Sequence, residues 1–243
     1  MKLTGQTHIG LVRQNNQDAL DFGAVGDDLH YAVVCDGMGG ANGGNIASRI
    51  AVDVLVSRIK ENLQEGRPHG AVEHLLESAM AAANIGVYDK AQSDPSLSGM
   101  GTTVVAAVIS GPHAYISHVG DSRLYHLRDG ELRAVTRDHS VVQEMIESGQ
   151  ITEEEARSHP RRNYITRALG VSENEAGEFD ELELQTGDRL LLCTDGLTNT
   201  VSHEHMRQIL TDISSEDTAG QLIQAALDGG GTDNVTVLVV DVE

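Results

Sequence analysis

Four aspartates lie where an apolar run meets a glycine or a polar turn. They are Asp36 in AVVCDGMGG, Asp121 in HVGDSRLY, Asp195 in LLLCTDGL and Asp233 in GGGTDNVTVLVV. Residues at strand ends can converge in a fold, and carboxylates that cluster repel one another unless protons or cations neutralise them. Hard divalent metals are the usual partners of such oxygen ligands. The pattern therefore predicts a metal-dependent hydrolase.

An arginine near the start of the chain offers a complementary charge. Arg13 precedes Asp18 by five residues in the segment RQNNQD. A guanidinium can hold a phosphate through two parallel hydrogen bonds, and its charge would offset a dianion near carboxylates and metals. Taken alone, an arginine at this position is equally consistent with an ordinary surface residue.

A glycine-rich loop follows Asp36. It contains Gly37, Gly39, Gly40, Gly43 and Gly44 ahead of a predicted helix. Glycines let the backbone approach an ion or a phosphate closely. The alternatives are a simple Asp-Gly turn and a nucleotide-binding loop, but the sequence has neither the P-loop lysine nor the Rossmann glycine spacing.

Composition limits the partners that we expect. The 243 residues include 37 acidic and 17 basic side chains, for a formal net charge of -20. This charge disfavours nucleic acid and anionic membranes as partners. The start lacks the apolar segment of a signal peptide, no run approaches the ~18 apolar residues of a membrane span, and two cysteines form no disulfide framework. We therefore expect a cytoplasmic, monomeric protein in which Cys35 and Cys193 are reduced and buried.

Short apolar segments alternate in an uneven order with segments whose apolar residues recur at helical spacing. Strands are predicted at His30–Cys35, Thr102–Ile109, Ala114–Val119, Arg189–Cys193 and Val235–Val242, with a hairpin of Leu124–Leu127 and Glu131–Val135 around Asp129-Gly130. Helices are predicted at Ile46–Leu63, Ala71–Tyr88, Val141–Ser148, Glu153–Ser158, His203–Asp212 and Thr218–Leu227. Hairpin-linked strands with paired helices favour an α+β fold, and the lack of a linker favours one domain over residues 1–243.

Residues 145–167 differ from their surroundings. The segment is rich in charge, contains Pro160 and lies between the hairpin and the next predicted strand. It is consistent with a mobile flap over a site, and equally with a pair of surface helices.

Nine motifs in order resemble the bacterial PP2C (PPM) protein serine/threonine phosphatases. They are RQNNQD (13–18), VCDGMGG (34–40), SGMGTT (98–103), VGDSRLY (119–125), TRDHS (136–140), GQITEEEA (149–156), ITRALG (165–170), CTDGL (193–197) and TDNVT (232–236). Each motif is weak alone, but nine in the family's order leave little room for chance. The resemblance runs over nearly the whole chain.

The resemblance implies a four-layer α/β/β/α sandwich, with two antiparallel sheets and helix pairs outside. It also implies two tightly bound Mn²⁺ or Mg²⁺ ions at the end of the sandwich and a weaker third ion. By motif, Asp36 would bridge the first two ions, the Gly37 carbonyl would bind the second, Asp195 and Asp233 would bind the first, and Asp121 would serve the third together with Asp195.

The resemblance further implies a reaction and its partners. Arg13 would hold the substrate phosphate, and Asp18 would hydrogen bond a metal-bound water. A hydroxide that bridges the metals would attack phosphorus directly, without a phosphoenzyme. Phosphoserine and phosphothreonine proteins would be the substrates, a bacterial Ser/Thr kinase among them.

One segment departs from the family pattern. Many bacterial members follow DGMGG with histidine and then with Gly-Glu, whereas this chain has Ala41 and then Gly44-Asn45. General acid catalysis is typically worth about 10²–10⁴-fold. We therefore predict that the leaving serine is protonated by a metal-bound water or by another side chain.

Two other function classes stay open at the level of sequence. A pseudophosphatase would bind phosphoproteins without cleaving them, and only the departures at Ala41 and Asn45 support it. A structural metal-binding module would have no use for the glycine-rich loop or for Arg13. The intact set of Asp36, Asp195 and Asp233 favours catalysis over both.

Overall fold

Two antiparallel sheets packed face to face form the centre of the molecule in a computed structural model. The structure describes residues 1–64, 68–212 and 217–243, without the side chains at positions 41, 42 and 69. The strands are β1 (Lys2–His8), β2 (Asp18–Ala24), β3 (Leu29–Met38), β4 (Gly101–Thr102), β5 (Val104–Ser110), β6 (His113–Val119), β7 (Arg123–Arg128), β8 (Glu131–Ala134), β9 (Glu178–Glu183), β10 (Arg189–Cys193) and β11 (Val235–Asp241).

Each sheet places its most apolar strands in the middle. The first sheet has the order β1-β11-β10-β7-β8, and the second has β2-β3-β5-β6-β9 with β4 paired to β3. Val34 and Val105 of the second sheet and Leu192 and Leu238 of the first lie in the core between the sheets, with no exposed area. Because successive side chains of a strand point to opposite faces, the same strands also supply the outer cores.

Helices cover the outer faces of both sheets. They are α1 (Gly40–Asn62), α2 (His69–Ser93), α3 (Val141–Glu147), α4 (Glu153–Arg157), α5 (Asp195–Thr198), α6 (His203–Thr211) and α7 (Thr218–Asp228). One core joins α1 and α2 to the second sheet, and another joins α5, α6 and α7 to the first. The predicted four-layer α/β/β/α sandwich is confirmed.

The structure differs from the sequence-based elements mainly at edges. Strands β1, β2 and β9 were not predicted, because they border the sheets and alternate polar with apolar residues instead of forming apolar runs. The predicted strand at residues 102–109 is divided at Thr103, and α1 begins at Gly40 rather than Ile46. Glycines carry no apolar periodicity, so the first turn of α1 gave no signal.

Two local predictions agree with the structure. Asp129 and Gly130, with φ of 52° and 76°, connect β7 to β8 in the left-handed region that two-residue hairpin turns require. Cys35 and Cys193 are free and buried. In the described part of the chain, no helix is long and apolar enough to cross a membrane.

Candidate metal centre

The predicted aspartates gather at one end of the sandwich because of strand register. Asp18 and Asp36 face each other across the β2–β3 pair. Asp195 follows β10 and Asp233 precedes β11, and these two strands are antiparallel neighbours. Asp121 follows β6, which pairs with β5, and β5 pairs with the strand β3 that carries Asp36. Strand ends from both sheets thus place five carboxylates at the same edge.

Close backbone packing holds these turns together. A Cβ atom at Gly37 would overlap the carbonyl oxygen of Gly44, at the start of α1. A Cβ atom at Gly196 would overlap the carbonyl oxygen of Asn234. Only glycine permits such contacts, so the turn after Asp36 approaches the start of α1, and the turn of Asp195 approaches the turn of Asp233, more closely than side chains would allow.

Asp18 is fixed by two threonine hydroxyls and leaves one oxygen free. Its Oδ2 accepts hydrogen bonds from Thr194 Oγ1 at 2.9 Å and from Thr236 Oγ1 at 2.7 Å. Its Oδ1 is buried and has no hydrogen-bond partner. Burial raises the pKa of Asp18 to about 7, although the two hydroxyl bonds oppose the shift. The free oxygen is therefore costly unless a further partner binds it.

Asp36 and Asp195 interact directly, and burial acts on both carboxylates as it does on Asp18. Burial raises the pKa of Asp36 well above its ordinary value, and the charges of Asp18 and Asp195 add to the shift. Burial and then the charge of Asp233 raise the pKa of Asp195. Asn199 Nδ2 donates to Asp195 Oδ2 at 3.0 Å, whereas Asp195 Oδ1 is buried without a partner. For Asp121, burial and then the charge of Asp195 raise the pKa to about 7.

Arg13 supplies positive charge at the rim. Its Nη2 lies 2.6 Å from Asp233 Oδ2, and about half of its side chain is exposed. The loop that carries it is held by Asn234, whose Nδ2 donates to the carbonyl oxygens of Ile9 and Asn15. Asn234 Oδ1 also accepts from the backbone of Gln17. The loop therefore presents Arg13 from a fixed position.

The donor set fits hard divalent cations. Among the described residues, the only ion pair that these five carboxylates make is the one between Asp233 and Arg13. All candidate ligands are oxygens, two buried carboxylate oxygens have no partner, and mutual repulsion raises the pKa of Asp36. Mn²⁺ and Mg²⁺ bind such sites and relieve such repulsion.

Comparison with known proteins identifies the family. The model of the protein phosphatase 2C family matches residues 4–229. The chain belongs to the protein phosphatase 2C family. It is 40% identical over 242 residues to the serine/threonine protein phosphatase PstP of Mycobacterium tuberculosis, covering 100% of this chain and 45% of that protein. The chain thus spans about half the length of this relative.

Further relatives are similar over their full length or in structure. The serine/threonine phosphatase stp of Listeria welshimeri is 38% identical, with 97% of this chain and 94% of that protein covered. The crystal structure of M. tuberculosis PstP superimposes with a TM-score of 0.90 at 39% identity, covering 100% of this chain and 98% of that one. A structure of the PstP catalytic domain in complex with two manganese ions superimposes with a TM-score of 0.86 at 34% identity, covering 100% and 98%.

In this family member, the structure brings all the predicted site residues to one end of the sandwich. Burial raises the pKa of Asp36, and the charges of the other four aspartates add to that shift; Gly37 lies beside Asp36, and Arg13 contacts Asp233. Among the described residues, no three of these carboxylates have ligand atoms within 4.8 Å of one another. The assignment of individual ligands stays a prediction.

Several polar residues around the aspartate site were given no role from sequence. Thr194 and Thr236 orient Asp18, Asn234 fixes the Arg13 loop, and Thr103 bonds the backbone of Asp36 through its amide at 2.8 Å and its Oγ1 at 3.0 Å. The signal that could have found Thr194 and Thr236 is a hydroxyl beside a predicted metal-binding Asp or within an apolar strand. The side chain of Ala41, on which the predicted missing general acid depends, lies outside the described residues.

Proposed function

We propose that the chain is a metal-dependent phosphatase that hydrolyses phosphoserine and phosphothreonine on proteins. The observation that carries the proposal is a group of five buried or half-buried aspartates. The positively charged side chains of the protein are too few there to neutralise them. Asp18 and Asp195 each keep a buried oxygen without a partner, and among the described residues Arg13–Asp233 is the one ion pair that these five aspartates make. Membership of the protein phosphatase 2C family supports the same activity.

The cofactor is Mn²⁺ or Mg²⁺, with two ions bound tightly and a third more weakly. Asp36 and the Gly37 carbonyl, together with Asp195 and Asp233, would hold the first two, and Asp121 would serve the third. When bound, such ions lower the pKa of a water shared between them and neutralise charge on the phosphate. A solved relative with two manganese ions supports the number.

Arg13 would bind the substrate phosphate, and Asp18 would bind a water, in the same site. The exposed half of Arg13 allows its guanidinium to turn from Asp233 to the oxygens of a phosphate and to stabilise charge there. Asp18 keeps its Oδ2 bonded to Thr194 and Thr236, and its buried Oδ1, which has no partner, would accept a hydrogen bond from a metal-bound water.

The partners are phosphorylated proteins, and we include a bacterial Ser/Thr kinase among them, because relatives that match the chain are named serine/threonine phosphatases. We further propose a cytoplasmic monomer, and the net charge of -20 disfavours nucleic acid and anionic membranes as its partners. Within one phosphatase domain, residues 145–167 form the flap. The bridge between Ser140 and Ile165 brings the chain just before the segment next to its C-terminal end.

The test is phosphate release from phosphoserine and phosphothreonine peptides. The protein is stripped with a chelator and then supplied with Mn²⁺, which should restore hydrolysis. Asp233→Asn should lose it, whereas Asp228→Asn, an exposed aspartate at the end of α7, should keep it. Mn²⁺ binding by the parent protein without any hydrolysis would contradict the proposal and indicate a phosphoprotein-binding module, which the retained aspartates do not favour.

A further inference from the structure

His139 lies next to the carboxylate cluster without belonging to it. It is 8% exposed and forms a reciprocal pair of hydrogen bonds with Gly120, the residue before Asp121. The Gly120 amide donates to His139 Nδ1 at 3.0 Å, and the His139 amide donates to the Gly120 carbonyl oxygen at 3.0 Å. Two bonds to one residue fix the orientation of the turn that presents Asp121.

The other side of the Gly120 turn is fixed as well. Gly120 has a φ of 101°, and a Cβ atom there would lie 2.6 Å from the Thr103 side chain. Thr103 in turn bonds both the amide and the carbonyl of Asp36. The turn is therefore packed between His139 and the residue that fixes Asp36, so displacement of His139 would let Asp121 move relative to Asp36.

The hydrogen bonds define the tautomer of His139. Since Nδ1 accepts from Gly120, the proton of the neutral ring is on Nε2, which donates to Glu178 Oε1 at 3.0 Å. Arg167 Nη1 lies 2.9 Å from the same Glu178 oxygen. Burial, and then the charge of Arg167, lower the pKa of His139 and keep its ring neutral. The acceptor at Nδ1 is thereby preserved.

A separate metal site at this position is disfavoured by the same contacts. His118, His139 and Glu178 have ligand atoms within 4.8 Å of one another. However, Arg167 Nη1 already places a positive charge against Glu178. The same nitrogen lies 3.2 Å from His139 Nε2. Both ring nitrogens of His139 are also committed to hydrogen bonds, so neither lone pair is free for an ion.

We propose that His139 is a positioning residue that holds the Gly120–Asp121 turn in the geometry required for metal binding. The inference rests on the proposed function only in assigning Asp121 to a metal. His139 also bonds the far end of the proposed flap, because the Thr166 amide donates to the His139 carbonyl oxygen at 2.8 Å. That contact uses the backbone and survives substitution of the ring.

Two substitutions separate the ring nitrogens. In His139→Asn the amide oxygen can take the place of Nδ1 and keep the bond to Gly120, whereas in His139→Gln the amide reaches only toward Nε2 and Glu178. Calorimetric titration of the metal-stripped protein with Mn²⁺ reports each site directly, and hydrolysis of an aryl phosphate is measured in parallel. His126→Gln, a buried histidine paired with Asp188 elsewhere in the fold, is the matched control.

We expect His139→Gln to weaken the weakest Mn²⁺ site by about 10-fold or more, as the loss of a group that orients a metal ligand does. His139→Asn and His126→Gln should bind Mn²⁺ like the parent protein. Equal weakening in Asn and Gln variants, or unchanged binding in both, would overturn the inference. Mn²⁺ binding without hydrolysis by the parent overturns the proposed function alone, and no Mn²⁺ binding by the parent overturns both.

Discussion

Strands β10 and β11 bury carboxylates at both of their ends, in opposite electrostatic settings. At the end away from the metal centre, Arg128 binds Asp188 through two bonds, at 2.9 and 2.6 Å, and His126 lies 3.0 Å from it. Burial alone would raise the pKa of Asp188, but these partners lower it. Asp241 likewise pairs with Arg189 at 2.5 Å.

At the metal centre the same strands lead to carboxylates that the chain neutralises only in part, through the ion pair of Arg13 with Asp233. Asp195 follows β10 and Asp233 precedes β11, and the pKa of Asp195 is raised by burial and by the charge of Asp233. Burying a charge is expensive unless a partner compensates for it. The end with Asp188 and Asp241 therefore stabilises the fold through ion pairs within the chain. The carboxylates of the metal centre destabilise the fold until external cations bind them.

The largest effect should come from removing the central carboxylate. Asp36→Asn should lower kcat/KM for a phosphopeptide by at least about 1000-fold, since several kcal/mol of charge stabilisation depend on the metals that it would bridge. The same substitution should make the metal-stripped protein more stable to urea at pH 8, because it removes one of the repelling charges. A less stable metal-stripped variant would contradict the contrast between the two ends.

The stability of the metal-stripped protein should fall as pH rises. The pKa values of Asp18 and Asp121 are raised to about 7, so the folded state holds protons that the unfolded chain releases above about pH 4. The free energy of unfolding should therefore drop by a few kcal/mol between about pH 5 and pH 8. Urea denaturation measures this drop, and saturating Mn²⁺ should reduce it. A drop that Mn²⁺ leaves unchanged would place its origin outside the metal centre.

Breaking the paired end should produce the reverse pattern. Asp188→Asn leaves Arg128 and His126 without their carboxylate partner and should lower the free energy of unfolding by about 2–4 kcal/mol. The figure takes into account that a third of the Arg128 side chain is exposed. Activity per folded molecule should stay at the parent level, as measured by phosphopeptide hydrolysis below the melting transition. Loss of activity without loss of stability would refute the division between the two ends.

The smallest effect should come from Arg13, the cation that pairs with Asp233 at the metal centre. Arg13→Ala should lower kcat/KM about 10- to 100-fold, because a charged hydrogen bond to phosphate contributes about 1.5–3 kcal/mol. Mn²⁺ affinity should be kept or should rise, since Arg13 competes for Asp233 in the structure. Arg133→Ala, an exposed arginine paired with Glu131, is the control and should change neither quantity.

The aspartates of the candidate metal centre were easier to find in the sequence than the residues that hold them in place. Asp36 and Asp195 lie at the ends of apolar strands, one in each of the two sheets, so the pattern of apolar runs and acidic turns located them. The threonines that hold Asp18 were not predicted, because Thr194 and Thr236 contact it across 176 and 218 residues. No local pattern reports contacts between residues so far apart in the chain.

The fold itself was predictable where burial was complete. The buried strand β10 was predicted with the bounds Arg189–Cys193 that the structure has, whereas the edge strands β1 and β9 gave no apolar run to detect. An edge strand is defined by the neighbour with which it pairs, and the sequence does not name that neighbour. The contribution of His139 was hidden for the same reason, since its partner Gly120 lies on another strand end.

The long separation between the partners of Asp18 has a consequence for how the molecule forms. A growing chain that has passed Asp18, Asp36 and Asp121 still lacks Thr236 and strand β11, which pairs with β1 and β10 in the centre of the first sheet. Contacts of such high sequence separation form slowly and late in folding. The acidic site therefore cannot be completed until Thr236 has been synthesised, so the chain acquires a place for its metals only after strands β1 to β10 are available.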